Sequence, residues 1–147
     1  MAAGEPLDPH YYAWREMVRG MPDLPVGQMI AHITPHLSEA EIKAYDAPFP
    51  DIRYKAGART FPELAMVEPQ MDGVKEAKAA MEFWNHEWSG QSFMVIGEKA
   101  ADAKAMHTLH RQIKRCPAPL VLEEANHFVP EWGEQIALAA LKAFGDL

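Results

Sequence analysis

Residues 93–128, FMVIGEKAADAKAMHTLHRQIKRCPAPLVLEEANHF, contain the pattern that decides the fold. Two short apolar runs, at Phe93–Gly97 and Leu120–Leu122, are typical of buried strands. The segment from Asp102 to Arg115 between them is predicted to be a helix, because its apolar residues recur at helical spacing: Met106, Leu109 and Ile113. A strand, a helix and a strand in this order predict an α/β fold with a parallel pair and a right-handed crossover.

Two strands are too few for a sheet of this kind. Parallel strands that are apolar on consecutive residues are buried on both faces and belong to sheets of several strands. A sheet of two such strands leaves open edges, which soluble proteins usually avoid. The pattern therefore predicts part of a larger α/β architecture, or a domain that a partner or self-association completes.

The residues before this stretch predict short helices separated by proline. Asp8 is expected to cap a helix with Pro9 at its first position. Ser38 followed by Glu41 is a capping box. A longer helix is predicted after Gly73, because one stripe of it is apolar: Val74, Ala77, Met81, Trp84 and Trp88. We predict a helical region over 1–89 and a β-α-β-α region over 90–147, whose last helix begins at Pro130.

The composition excludes several classes of function. Fourteen Lys and Arg against 21 Asp and Glu give a net charge of −7, so a nucleic acid partner is not expected. No apolar run approaches the roughly 18 residues of a membrane span. The first ten residues are too polar for a secretory signal, and the single cysteine, Cys116, fits a reducing cytoplasm.

His127 is the strongest candidate for chemistry. It follows a predicted parallel strand and precedes a helix, and ligands bind at the carboxyl ends of such strands. A loop histidine bonded only to backbone is an equally good interpretation of position alone. The loop after the other strand offers Glu98 and Asp102, either of which could hold an imidazole in one tautomer. For Asp102, a role as N-cap of the next helix is the favoured interpretation.

Other candidates are weaker. His107 and His110 lie one turn apart, as metal ligands can, but a third and fourth ligand are not evident, so a solvated face is favoured and no metal is expected. Glu82 and His86 share a helical face and are discounted in the same way, and Cys116 is expected to be structural. Trp14, beside aromatic neighbours, could line a pocket with its indole N–H as donor.

The sequence lacks a nucleophile of the common kinds. No G-x-S-x-G turn is present, and none of the three serines follows a predicted strand: Ser38, Ser89 and Ser92. No glycine-rich phosphate loop is present either.

Several segments together resemble the carboxyl-terminal half of the haloalkane dehalogenase family of α/β-hydrolases. AYDAPFPD (44–51) and YKAG (54–57) are similar to the family's helical cap. The W-x-G-Q-x-F-M-x-I-G pattern at 88–97 resembles the strand that carries the acid, and NHFVPEWGEQ (126–135) resembles the segment around the catalytic histidine. The resemblance implies a cap over 1–89 and the last part of the hydrolase core over 90–147.

The resemblance also implies a reaction. In this family an aspartate attacks the carbon that bears the halogen, and indole N–H groups hold the released halide. A histidine oriented by an acid then activates water to hydrolyse the alkyl-enzyme ester. His127 matches that histidine, and Trp14 matches a cap tryptophan that binds halide in one branch of the family. The implied ligand is a small halogenated or other apolar substrate, with no cofactor.

This chain departs from the family at three places. The nucleophile and its neighbouring tryptophan belong to the amino-terminal half of the family's fold. Ala100 stands where the family has its acid, so Asp102 is the possible substitute. Asn126 replaces the usual glycine before the histidine, and asparagine tolerates a left-handed backbone better than most residues.

Two hypotheses remain open at this point. One is a dehalogenase-like hydrolase fragment that is inactive without a complementing amino-terminal half. The other is a non-catalytic binding or interaction protein derived from the α/β-hydrolase fold, which the loss of the acid at Ala100 favours. A metal-binding helical protein is disfavoured by the missing ligands.

Overall fold

The computed structural model describes residues 3–145, which form two compact units that meet in sequence between Lys75 and Glu76. The α-helices are α1 (Pro9–Arg19), α2 (Val26–Ile33), α3 (Glu39–Asp46), α4 (Ala56–Thr60), α5 (Val74–Glu82), α6 (Ala103–Gln112) and α7 (Gly133–Phe144). The strands are β1 (Val95–Gly97) and β2 (Leu120–Leu122). Short 3₁₀ turns cover Ile52–Lys55, Phe61–Leu64 and Val129–Trp132, and a π-helical turn covers Phe83–Glu87. None of the helices within residues 3–145 is long and apolar enough to cross a membrane.

The amino-terminal unit begins its helices as the sequence predicts. The Asp8 carboxylate accepts a hydrogen bond from the His10 N–H at 2.8 Å, with Pro9 in the first turn of α1. The capping box of α3 is present: Glu41 N–H donates to Ser38 Oγ, and Ser38 N–H donates to the Glu41 carboxylate at 2.7 Å. These local bonds satisfy backbone donors that the first helical turn leaves free.

Helices α2 and α3 approach closely at a glycine. The Gly27 N–H donates to Asp46 Oδ1 at 2.8 Å. A Cβ atom at Gly27 would lie 2.3 Å from the Ile42 carbonyl oxygen and 2.7 Å from an Asp46 carboxylate oxygen. The two helices can therefore pack at this distance only because position 27 has no side chain. The unit also buries Val18, Leu24 and Ile30.

The carboxyl-terminal unit contains the predicted parallel pair. Val95 pairs with Leu120, Ile96 with Val121 and Gly97 with Leu122, and α6 makes the crossover. Ile96 is 1% exposed, but Val121 is 39% exposed. The prediction that both faces are buried is therefore wrong at β2, because the described residues leave the face at Val121 partly open.

Two helix boundaries also differ from the predictions. The predicted helix over Asp102–Arg115 ends at Gln112, because Ile113 is extended and Arg115 has a positive φ of 60°. The predicted helix through Trp88 becomes π-helical after Glu82.

Two tryptophans lie together at this π-helical turn. Trp84 and Trp88 have ring centroids 4.8 Å apart, and the Trp88 indole donates to Ser92 Oγ at 2.8 Å. Both rings line an open cleft of about 320 Å³, together with Phe144 and Cys116. The expectation that these tryptophans are core residues is thus only partly met.

Candidate active site

His127 and Asp102 come together at the carboxyl ends of the two strands. The loop after β1 carries Asp102, and the loop after β2 carries His127. Asp102 Oδ1 lies 3.4 Å from His127 Nδ1, at the long end of hydrogen-bond distance. Catalytic hydrogen bonds of this kind are often long before substrate binds. A carboxylate beside Nδ1 favours the tautomer with the proton on Nδ1, which leaves Nε2 able to accept a proton.

The side chains of this pair are open to solvent. The His127 side chain is 64% exposed and that of Asp102 is 37% exposed. Asp102 is the only side chain among residues 3–145 that bonds to the His127 ring. No hydrogen bond to His127 Nε2 is found within the same range.

The favoured interpretation of Asp102 as a helix cap holds for its position but not for its side chain. Asp102 stands at the N-cap position of α6, but its side chain makes no capping hydrogen bond. Its backbone, at φ −98° and ψ 7°, is outside the extended region from which a capping side chain reaches the first turn. The carboxylate lies near the His127 ring instead.

Glu98, the other candidate acid, has a different partner. Its carboxylate lies 3.0 Å from His107 Nε2 on α6. In the same loop, the Lys99 ammonium is paired with the Glu124 carboxylate of the loop after β2. Of the two carboxylates offered by the sequence, only that of Asp102 is beside the candidate base.

The candidate metal ligands do not converge. His107 is paired with Glu98, whereas His110 Nε2 lies 2.7 Å from the Pro117 carbonyl oxygen. His86 lies 3.4 Å from Glu82 on the same helical face. Within residues 3–145 there is no group of three or more His, Cys, Asp or Glu side chains that could hold a metal ion.

Cys116 is partly buried. Burial raises the pKa of the Cys116 thiol above its usual value, because removal from water penalises the thiolate. A raised thiol pKa is the opposite of what a nucleophilic cysteine needs. This agrees with the structural role expected from the sequence.

Trp14 lies in an aromatic group on α1 in the amino-terminal unit. Its ring centroid is 5.7 Å from that of Tyr11, and the Tyr11 ring is edge-on to Tyr12 at 5.8 Å. Tyr11 donates a hydrogen bond to the Pro62 carbonyl, and burial raises the pKa of its phenol. Trp14 is 40% exposed, and no hydrogen bond to its indole N–H is found within residues 3–145.

Asn126 acts on His127 differently from what its residue type suggests. Arg115 is the one non-glycine residue with positive φ among those described, so Asn126 is not left-handed. Its side-chain oxygen accepts a hydrogen bond from the His127 N–H at 2.8 Å. Sequence reasoning missed this bond and also the Lys99–Glu124 pair. The register of the strands could have indicated this ion pair. Lys99 and Glu124 each lie two positions after the end of a strand, and the two strand ends are paired.

Comparison with known proteins relates this chain to haloalkane dehalogenases. No protein-family model matches the chain. Haloalkane dehalogenase from Mycolicibacterium paratuberculosis is 34% identical over 128 residues, which is 84% of this chain and 42% of that protein. Haloalkane dehalogenase 1 from Mycobacterium bovis is 44% identical over 126 residues, which is 82% of this chain and 41% of that protein. The chain spans about two fifths of the length of these curated relatives.

Solved structures agree with the sequence matches. The tetrameric haloalkane dehalogenase DpaA from Paraglaciecola agarilytica NO2 has a TM-score of 0.91 and 40% identity. The match covers 96% of this chain and 48% of that one. DatA from Agrobacterium tumefaciens C58, at 16% identity and a TM-score of 0.66, shares the fold.

The fold defines the structural class of the chain. The helices and the parallel pair are a part of the α/β-hydrolase fold, as the sequence predicts. Within that class, the chain is related to the haloalkane dehalogenases and corresponds to a carboxyl-terminal part of them. The resemblance predicted from the sequence is confirmed.

Proposed function

We propose that this chain is the carboxyl-terminal part of a haloalkane dehalogenase-like hydrolase, which cleaves carbon–halogen bonds through an alkyl-enzyme ester. The observation that supports this most is the Asp102–His127 pair, at 3.4 Å, on the carboxyl ends of two parallel strands. The haloalkane dehalogenases to which the chain is 34% and 44% identical also support the proposal. In the same proposal, residues 1–89 are the cap and residues 90–147 belong to the core.

His127 is the proposed general base. Its Nε2 takes a proton from water as the water oxygen attacks the carbonyl carbon of the ester. The resulting imidazolium is stabilised by the Asp102 carboxylate beside Nδ1. Collapse of the tetrahedral intermediate breaks the bond to the alcohol oxygen, which leaves with a proton and frees the nucleophile's carboxylate. Trp14 is the proposed halide donor, since its indole N–H has no partner within residues 3–145.

The nucleophile is proposed to come from a complementing amino-terminal half. Without an aspartate that attacks the halogenated carbon, no ester forms, so this chain alone should release no halide. The substrate class proposed is a small halogenated alkane. A cytoplasmic location also belongs to this proposal, because a single cysteine suits a reducing compartment.

Reconstitution tests the proposal. The amino-terminal part of the Paraglaciecola agarilytica enzyme, fused ahead of this chain, should release bromide from a short bromoalkane over many turnovers. Neither part alone should do so. The fusion with His127→Ala should release about one bromide per enzyme and accumulate the ester, which mass spectrometry detects as an added alkyl group.

Two results would contradict the proposal. Continued turnover in the His127→Ala fusion would remove His127 from the role of base. A folded fusion that never releases bromide would remove the hydrolase assignment.

A second candidate is a non-catalytic interaction protein derived from the same fold, which the alanine at position 100 favours. Val121 is 39% exposed beside a sheet edge, and Phe61 is 73% exposed. Self-association that buries such surface, together with a folded fusion that releases no bromide, would favour this candidate. Light scattering over a concentration series distinguishes a monomer from an oligomer, and Val121→Lys should weaken an assembly formed at this face.

A further inference from the structure

The two loops that carry Asp102 and His127 leave their strands in the same register. Paired residues of β1 and β2 differ by 25 positions, as Gly97 and Leu122 do. Lys99 and Glu124, the first oppositely charged pair beyond the strands, differ by 25 positions as well. Asp102 and His127 again differ by 25. The side-by-side arrangement of the strands therefore continues into the loops as far as the candidate acid and base.

Three bonds from the loop after β1 to β2 and its following loop maintain this register. The Glu98 N–H donates to the Leu122 carbonyl at 3.0 Å, and the Lys99 N–H donates to the Ala125 carbonyl at 2.9 Å. The Lys99 ammonium also pairs with the Glu124 carboxylate. Lys99 is thus attached to the opposite loop through both its backbone and its side chain. It lies three residues before Asp102, so its attachment limits how far the acid can move from the base.

Gly97 allows the loops to come this close. A Cβ atom there would lie 2.4 Å from the Asn126 carbonyl oxygen and 2.9 Å from that of Ala125. Because ordinary contacts of such an atom begin at 3.4 Å, the Asn126 carbonyl would have to move by about 1 Å. Asn126 is bonded through its side chain to the His127 N–H, so His127 would move with it.

We propose that Gly97 and Lys99 are positioning residues for the Asp102–His127 pair. Gly97 sets the closeness of the two loops, and Lys99 fixes their register through the Ala125 carbonyl and Glu124. Neither residue contacts the reacting atoms. The proposal rests on the roles of Asp102 and His127 proposed above, and it adds what keeps these two side chains within reach of each other.

The tautomer of His127 tests the proposal without any need for turnover. Nitrogen-15 NMR of the imidazoles in the full chain, above the pH at which they protonate, reports the share of rings with the proton on Nδ1. The His127 signals are assigned by their loss in His127→Gln. Gly97→Ala should move the 3.4 Å contact out of hydrogen-bond distance and lower the Nδ1–H share. Gly133→Ala is the matched control, because nothing lies within 4 Å of a Cβ at Gly133.

Lys99 is tested by side-chain replacement, which leaves its backbone bond in place. Lys99→Met should shift the tautomer ratio about 1.5- to 5-fold, the range expected for an exposed ion pair. Lys99→Arg should restore the ratio, because it keeps the charge opposite Glu124. If Gly97→Ala does not fold, the Lys99 variants decide the matter alone.

Asp102→Asn distinguishes a failure of the positioning proposal from a failure of the acid–base pair itself. If the tautomer responds to Asp102→Asn but to neither Gly97→Ala nor Lys99→Met, the positioning proposal is overturned and the acid–base pair stands. If Asp102→Asn leaves the tautomer unchanged, both the pair and the positioning proposal are wrong. A response to all three changes, with Gly133→Ala silent, supports the proposal.

Discussion

The two units present their candidate functional residues in different ways. In the carboxyl-terminal unit, Asp102 and His127 are 25 residues apart and meet only because β1 and β2 pair in one register. In the amino-terminal unit, Trp14 lies on the single helix α1, next to aromatic residues of the same helix. A site formed from two loops depends on the pairing of distant segments, whereas a residue on one helix depends mainly on that helix. A change that loosens packing should therefore separate Asp102 from His127 even when the carboxyl-terminal unit stays folded. Trp14 should change its position only when the amino-terminal unit itself unfolds.

The largest expected effect on the amino-terminal unit comes from Gly27→Ala. The new Cβ would meet the Ile42 carbonyl at 2.3 Å, so α2 and α3 must separate. Overpacking of this kind costs about 1–3 kcal/mol in free energy of unfolding. Urea denaturation followed by circular dichroism measures the cost. Gly57→Ala is the matched control in the same unit, since nothing lies within 4 Å of a Cβ there; equal midpoints for both variants would disprove the close approach.

Trp14→Phe should affect ligand binding while leaving the fold intact. It removes the indole N–H but keeps an aromatic ring near Tyr11. A hydrogen bond to a charged group contributes about 1.5–3 kcal/mol, so bromide affinity of the reconstituted enzyme should fall about tenfold or more. Product inhibition by bromide measures this affinity. Trp84→Phe, a change in the other unit, is the control, and an unchanged bromide affinity in Trp14→Phe would assign Trp14 to packing alone.

The smallest expected effect is a pH dependence within the amino-terminal unit. Hydrogen bonds from Arg19 lower the pKa of the Glu63 carboxyl, and the charges of Arg19 and Arg15 lower it further. A carboxyl group whose pKa is lower in the folded chain stabilises the fold above its unfolded pKa of about 4.3. This stabilisation is lost as the pH falls through the folded pKa.

Glu63→Gln tests that dependence. The variant should be less stable than the parent chain near neutral pH, and the two stabilities should converge in acid. Thermal melts across the pH range measure the difference. A difference that stays constant down to the lowest pH would show that Glu63 acts by packing and not by its charge.

The sequence predicts the parts of this structure that depend on local patterns. Apolar periodicity predicts the strand–helix–strand order, and the Ser38–Glu41 spacing predicts a capping box that the structure contains. The side-chain direction of Asp102 was not predictable in this way, because its local preference for a helix cap competes with a partner 25 residues away. The Lys99–Glu124 pair was not predictable for the same reason, since it can be inferred only once the register of β1 and β2 is known.

The central claim is that Asp102 is the acid that orients His127, and a substitution at Asp102 tests it most directly. In the fusion with the Paraglaciecola amino-terminal part, the rate of bromide release is compared between the parent chain and Asp102→Asn. If Asp102 orients His127 and stabilises its imidazolium, the rate of ester hydrolysis should fall about 10²- to 10⁴-fold while one bromide per enzyme is still released. An unchanged rate of steady bromide release in Asp102→Asn would contradict the account.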